Sequence, residues 1–304
     1  MLEALQYATD AVSLGSLYAL SALGIGLLFG VLRLINFAHG DFISVGAYGL
    51  IVPSANAMAV MYFGALPWPA VIAVIVAVVA FLALLSEAIV FRPLRGASPA
   101  TMMIGSFALS FIVQNSLLLV YGSRPKAVDL WANLSRPIAV GGVRFQQLQL
   151  VTIGVTAVLL AALVLFLRRT RFGLEMRAAA EDFCMARMLG VRANRVIAMA
   201  FALSGGLAAV VSLLYVAQSG ILSVQMGVPL MLFAFISTVI GGMGSLLGAV
   251  LGGFIVGILN VVLQVMLPGE LRSFRDAFLF LMVIFILLLR PSGLVPVAAM
   301  KERI

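Results

Sequence analysis

The chain has 304 residues, 63% of them hydrophobic and 10% charged, with a mean hydropathy of +1.20. Soluble domains carry roughly 25% charged residues, so this composition excludes an ordinary soluble domain and identifies an integral membrane protein. The net charge of +8 raises nucleic acid as a partner, but the basic residues divide by loop and fit a membrane topology better, so no nucleic-acid partner is expected.

Stretches free of Asp, Glu, Lys and Arg cover 11–32, 42–86, 96–123, 145–167 and 196–269. One helical crossing takes about 20 apolar residues, so these stretches hold one, two, one, one and three crossings. A shorter stretch, 277–289, extends back to Leu271 if Arg272 and Asp276 pair at i,i+4 near the interface. The predicted spans are 8–30, 42–63, 68–91, 99–121, 148–167, 196–217, 228–247, 248–267 and 271–290. The expected fold is an all-α polytopic bundle of about nine transmembrane helices, with eight to ten acceptable, forming a single transmembrane domain over 1–304. Alternate loops then carry 13 and six basic residues. The positive-inside rule makes the richer side cytoplasmic, with the N-terminus outside and the C-terminus inside. The N-terminal residues include Glu3 and Asp10 and lack a basic run, so no cleaved leader is expected.

Polar residues stand out against this background in chain order. Arg33 to Asp41 (Arg-Leu-Ile-Asn-Phe-Ala-His-Gly-Asp) interrupts the apolar pattern and holds the chain's one histidine. Asn36, His39 and Asp41 have two readings: Asn36 and Asp41 as caps on successive helices around a Gly40 turn, or a broken-helix element lining a route. Glu87 lies about one turn from Arg92 and is expected to pair with it at the inner interface. Gln114 and Asn115 sit mid-span, where an amide needs an internal partner. The predicted outer loop, 122–147, is rich in Pro, Gly and Arg.

The predicted inner loop, 168–195, holds seven of the 13 basic residues. Leu174 to Leu189 contains good helix formers and no proline, so one surface helix is expected, ended by Gly190. Leu174, Ala178, Phe183 and Met188 share part of one flank. Lying flat on the membrane and docking to a cytoplasmic protein both suit it. Gly244, Gly248 and Gly252 recur every four residues, as do Gly253 and Gly257, while Ala22, Gly26 and Gly30 repeat the step in the first span. Such faces let helix backbones approach closely; a helix break near Gly241-Gly242 is the alternative.

Several chemistries lack their residues. The two lysines, Lys126 and Lys301, follow Pro125 and Met300, so neither completes a Walker A loop. One His and one Cys suggest no metal site and no disulfide, and no G-x-S-x-G elbow occurs. Asp10, Asp41, Glu87 and Asp276 all fall near predicted span ends, not at the mid-membrane positions of ion-coupled transport. A passive channel or a membrane protein powered from outside the chain remains.

A series of motifs carries a resemblance. Gly15-Ser16-Leu17-Tyr18-Ala19-Leu20, the Gly30 to Asp41 segment, Gly46-Ala47-Tyr48, Arg92-Pro93-Leu94-Arg95, Gln114-Asn115, Arg177-Ala178-Ala179-Ala180-Glu181-Asp182 with Leu189-Gly190, and Ile240-Gly241-Gly242-Met243-Gly244-Ser245 follow one another in order. Together they resemble the branched-chain amino-acid ABC transporter permeases of the LivH type over nearly the whole chain. The resemblance implies a multi-pass inner-membrane permease of bacteria without an ATPase site of its own. Its partners would be a second, related permease, two cytoplasmic ATPases that bind ATP, and a periplasmic substrate-binding protein. It makes the 174–190 segment the coupling element, with Arg177, Glu181, Asp182, Leu189 and Gly190 toward the ATPase. Asn36, His39, Asp41, Gln114 and Asn115 become candidates for the transport path or its gate, and Gly26, Gly30, Gly244, Gly248 and Gly252 for helix packing. Relatives for urea or short amides share much of this pattern, and a self-sufficient channel or secondary transporter is the reading outside the family.

Overall fold

The computed structural model describes residues 2–33, 35–54, 56–62, 66–131, 134, 137–140, 143–291 and 293–295. Arg136, Lys301 and Arg303 of the loop charge count, and the C-terminal end, lie outside them. Eleven α-helices occur among the described residues: α1 (Leu2–Leu32), α2 (His39–Tyr48), α3 (Trp68–Ser86), α4 (Pro99–Tyr121), α5 (Gln147–Arg169), α6 (Arg171–Glu181), α7 (Phe183–Met188), α8 (Ala193–Ser219), α9 (Gly227–Gly241), α10 (Leu246–Met266) and α11 (Arg275–Leu289). Four short strands, β1 (Lys126–Ala127), β2 (Pro137–Val140), β3 (Val143–Gln146) and β4 (Ile221–Leu222), form two antiparallel pairs, β1 with β4 and β2 with β3. The all-α expectation therefore omitted this β structure, most of which gives order to the 122–147 segment.

Six helices among the described residues are long and apolar enough to cross a membrane: Leu5–Leu32, Trp68–Phe91, Pro99–Tyr121, Gln147–Arg169, Ala193–Ser219 and Leu246–Met266. The other three predicted spans, 42–63, 228–247 and 271–290, are occupied by shorter helices. The helices there, α2, α9 and α11, have 10, 15 and 15 residues. At 1.5 Å per residue these lengths are about 15, 22 and 22 Å, against a hydrocarbon core of about 30 Å. Charge-free length does not register a break made by uncharged residues, which is why 42–63 and 228–247 hold helices this short; in 271–290 a 3-10 turn, Gly269–Phe274, runs straight into α11. After α2 the chain leaves the helix at Gly49 and forms an Ile51–Met61 bridge. Gly242, at φ +107°, ends α9.

The two longest helices, α1 and α8, make the centre of the bundle. Most of α1 is buried, packed against α8, α9, α10 and α5, and α8 packs against α3 and α2 as well. By contrast α3, α4 and α5 expose most of their apolar surface, including Phe81, Phe111 and Val158. In a membrane such a face meets lipid or another subunit at no hydrophobic cost.

Glycine permits the closest approaches. A Cβ on Gly252 would stand 1.9 Å from the Ser237 carbonyl oxygen of α9, and one on Gly257 2.3 Å from the Gly15 Cα of α1. The two glycine registers of α10 thus serve two neighbours: Gly248 and Gly252 seat α9, and Gly253 and Gly257 seat α1. Gly26 and Gly30 differ, because a Cβ there would meet its nearest atoms at ordinary distances of 3.5 and 4.0 Å. Gly244 is corrected from a helix-packing position to a turn position: at φ +91° it precedes α10, which starts at Leu246 after a Ser245 cap.

Candidate functional site

The Arg33–Asp41 segment turns back into the bundle. Arg33, a non-glycine residue at φ +52°, ends α1, and the chain then runs toward α4, where the Phe37 backbone N–H donates to Ser106 Oγ at 3.3 Å. Phe37 stacks on Phe107 with ring centroids 4.2 Å apart. Asn36 Oδ1 accepts from the Ala38 N–H at 3.0 Å, and the Asn36 carbonyl accepts from the His39 N–H at 3.2 Å. Asn36 therefore sets the turn that begins α2 and does not cap α1, as one sequence reading had it. Asp41 is corrected as well: it is the third residue of α2, whose N-cap position is Ala38.

His39 fixes the depth of this turn. Its ring lies against Gly24, where an added Cβ would come within 2.5 Å of Cε1, and its Nδ1 shares a 3.2 Å hydrogen bond with Ser204 Oγ of α8. Gly24 precedes the end of α1 by eight residues, which is about 12 Å of helix. So α2 starts well inside the bundle, not at its edge, and runs toward the end where α4 finishes, with Tyr48 against Tyr121.

Helix α9 starts at the same place and runs the opposite way. The Gly227 N–H donates to Ser44 Oγ at 3.2 Å, and a Cβ on Gly227 would lie 1.8 Å from the Gly40 carbonyl oxygen. The two partial helices thus cross backbone to backbone near their N-terminal ends, the positive ends of their dipoles.

Around this crossing several polar groups are buried and incompletely bonded. Asn36, His39 and Asp41 are each at most 1% exposed. Asn36 Nδ2, His39 Nε2 and both Asp41 carboxylate oxygens lack a well-formed hydrogen bond. Ser110 and Gln114 of α4 face the Asp41 carboxylate, while Gln114 Nε2 donates to Ser110 Oγ at 3.1 Å. A buried unsatisfied group costs about 1–3 kcal/mol, and ionisable groups inside membrane bundles mark functional positions by default. The structure thus gathers Asn36, His39, Asp41 and Gln114 in one region. Asn115 does not join them: its Nδ2 donates to the Phe111 carbonyl of its own helix at 2.7 Å. Sequence reading missed Ser44, Ser106, Ser110, Ser204 and Gly227. The serines carried a signal, as lone hydroxyls in apolar helices, but nothing in the sequence pairs Gly227 with Gly40.

At the Leu32 end, the expected single surface helix is two. Asp182 breaks it, its Oδ1 accepting from the Cys184 and Met185 N–H groups at 2.9 and 3.0 Å as N-cap of α7. Thr170 caps α6 in the same manner through the Gly173 N–H. The positions buried against the bundle are Gly173, Met176, Ala179 and Ala186, while Leu174 and Met188 of the expected flank are exposed. Arg177, Glu181, Met185, Met188 and Leu189 are exposed, Leu189 at 86%, and Gly190 turns the chain at φ +89°. Nearby, a π-helical turn, Glu87–Phe91, extends α3. The Glu87 carboxylate, 1% exposed, is paired with Arg92 at 3.0 Å and with Arg95, whose guanidinium also bonds Asn194 at the start of α8. The expected Glu87–Arg92 pair is present, and the second arginine ties α3 to α8. Asp276, by contrast, pairs with Arg275 and not with Arg272.

Comparison with known proteins fits this arrangement. Residues 7–287 match the family described as branched-chain amino acid transport system, permease component. The chain is 31% identical over 295 residues to the high-affinity branched-chain amino acid transport system permease protein BraD of Pseudomonas aeruginosa, covering 95% of each chain. It is 32% identical to the corresponding permease protein LivH of Escherichia coli K12, covering 95% of this chain and 94% of that one. A probable LivH of Methanocaldococcus jannaschii is 27% identical over 79% of this chain and 74% of its own. No solved structure matches. End-to-end similarity at this level, over a bundle of apolar helices, establishes that the chain belongs to the branched-chain amino acid transport permease family.

Proposed function

We propose that this chain is the membrane-spanning permease subunit of an ATP-binding-cassette importer. Its cargo is a branched-chain or other hydrophobic amino acid, carried across the bacterial inner membrane by alternating access. The observation that carries this reading is the match to permeases named for that transport over 95% of the chain. Each part of the fold has a task in it. The Tyr7 end of α1 faces the periplasm, where a binding protein delivers substrate, and the Leu32 end faces the cytoplasm, where the basic residues collect. The exposed apolar residues of α7 dock on an ATPase, and movement passes to α8 and α3 through Arg95 and its bonds to Asn194 and Glu87. The crossing of α2 and α9 is the gate, because two partial helices meeting by their ends reorient with less disruption than a continuous span. A second, related permease completes the translocation unit. No bond in the substrate changes, so the chain is not an enzyme.

ATP hydrolysis tests this reading. The chain co-assembled with its second permease and its ATPases should hydrolyse ATP several-fold faster when leucine-loaded binding protein is added than when the empty form is. Equal rates with loaded, empty and absent binding protein would remove the importer assignment.

A further inference from the structure

At the Tyr7 end of the bundle, between α1, α5, α8 and α10, lies a cavity of about 410 Å³. It is separate from the α2–α9 crossing. Its volume falls in the range of about 300–1,000 Å³ that small-molecule sites occupy. Charged, amide and apolar groups line it. Asp10 supplies a carboxylate, Arg272 a guanidinium, and Leu14 and Val261 an apolar wall. Ser13, 2% exposed, stands beside it, its hydroxyl oxygen buried and without a hydrogen-bond partner.

The two charges are not spent on each other. Among the described residues neither Asp10 nor Arg272 takes part in an ion pair. Gln149 Nε2 donates to one Asp10 oxygen at 2.6 Å, holding the carboxylate in place and leaving the other oxygen open. Arg272 makes one long bond of 3.4 Å from Nε to the Leu267 carbonyl, leaving its terminal nitrogens open. A carboxylate and a guanidinium kept apart over an apolar wall form a template with two signs. Guanidinium takes a carboxylate in a two-pronged hydrogen bond, carboxylate takes an ammonium, and the wall takes an aliphatic side chain.

We infer that this cavity is a receiving site for a zwitterionic α-amino acid with an aliphatic side chain, Arg272 binding its carboxylate and Asp10 its ammonium. The placement of the cavity on the substrate-entry side, and the choice of an amino acid as occupant, rest on the proposed function. Such a site accepts substrate released above the membrane before the gate at α2 and α9 admits it. Its requirement for both charges would reject neutral amides.

Direct binding to the purified full-length chain in lipid nanodiscs, read by saturation-transfer NMR, tests the site. The probes are leucine, leucine amide (no carboxylate) and 4-methylpentanoate (no ammonium). Leucine should bind with at least about tenfold preference over either analogue, the weight of one charged hydrogen-bonded contact. Asp10→Asn and Arg272→Gln should each weaken leucine binding by about the same factor, and Arg272→Gln should leave leucine amide binding unchanged. Arg272→Lys, which keeps the charge, should recover part of the loss. Thermal unfolding of each variant confirms that it is folded. Equal binding of the three probes, no leucine binding, or leucine binding indifferent to both substitutions would overturn the site. None of those results bears on ATP stimulation by the binding protein, which tests the proposed function independently.

Discussion

Single residues decide whether the α2–α9 crossing can form. Gly227 has no room for a side chain, with the Gly40 carbonyl oxygen 1.8 Å from where its Cβ would stand. Overpacking of this kind costs about 1–3 kcal/mol. Gly227→Ala should therefore lower the unfolding temperature of the purified protein and abolish leucine uptake, whereas Gly26→Ala, facing an ordinary 3.5 Å contact, should do neither. Asn36→Ala removes the side-chain acceptor that begins α2, a loss of about 1 kcal/mol. It should leave membrane insertion intact and reduce uptake severely. Normal uptake by that variant would reduce Asn36 to a local turn-former. The polar character of Arg33–Asp41 was legible in the sequence, since each side chain stands out against apolar neighbours. Its depth was not. Charge counting placed Asp41 at the edge of a span, and only the turn back at Arg33, with His39 brought to Gly24, puts that carboxylate inside the bundle.

Elements were legible where propensity and hydropathy agreed, and illegible where a break carried no charge. The six helices long enough to cross a membrane follow from their apolar length. The shortness of α2 and α9 does not, because Gly49 and Gly242 end those helices within charge-free sequence. The 174–189 segment erred in the other direction. Its helix-forming composition masked Asp182, whose side chain caps a new helix more favourably than it continues the old one. Two predictions belong to these elements. Asp182→Ala should destabilise α7 by about 1 kcal/mol, and Leu189→Ala, at an exposed position, should leave stability unchanged. Both should reduce co-purification with the ATPase; undiminished recovery would remove the docking role of α7. The Glu87 cluster behaves differently. Replacing both Arg92 and Arg95 by Met strands a buried carboxylate, at a cost on the order of 3 kcal/mol. Adding Glu87→Leu should restore most of the lost thermal stability, and a triple variant no more stable than the double would refute the pairing account.

At the scale of the whole molecule, the proposed orientation in the membrane would join the candidate sites into one path. The chain's single cysteine, Cys184, is exposed on α7 and reports that orientation without engineering. A membrane-impermeant maleimide should leave it unlabelled in spheroplasts and label it once the membrane is opened. A Gln6→Cys, Cys184→Ser variant should show the reverse, reacting from outside. Labelling of Cys184 in sealed spheroplasts would invert the topology and with it the direction assigned to the path. The central claim, that this chain moves an aliphatic amino acid only when ATPase partners drive it, is tested most directly by radiolabelled leucine uptake into proteoliposomes. With the second permease, the ATPases, loaded binding protein and ATP, leucine should accumulate against its gradient, and the chain alone should carry none. Leucine flux through the chain alone without ATP, or no accumulation by the complete assembly, would contradict the account.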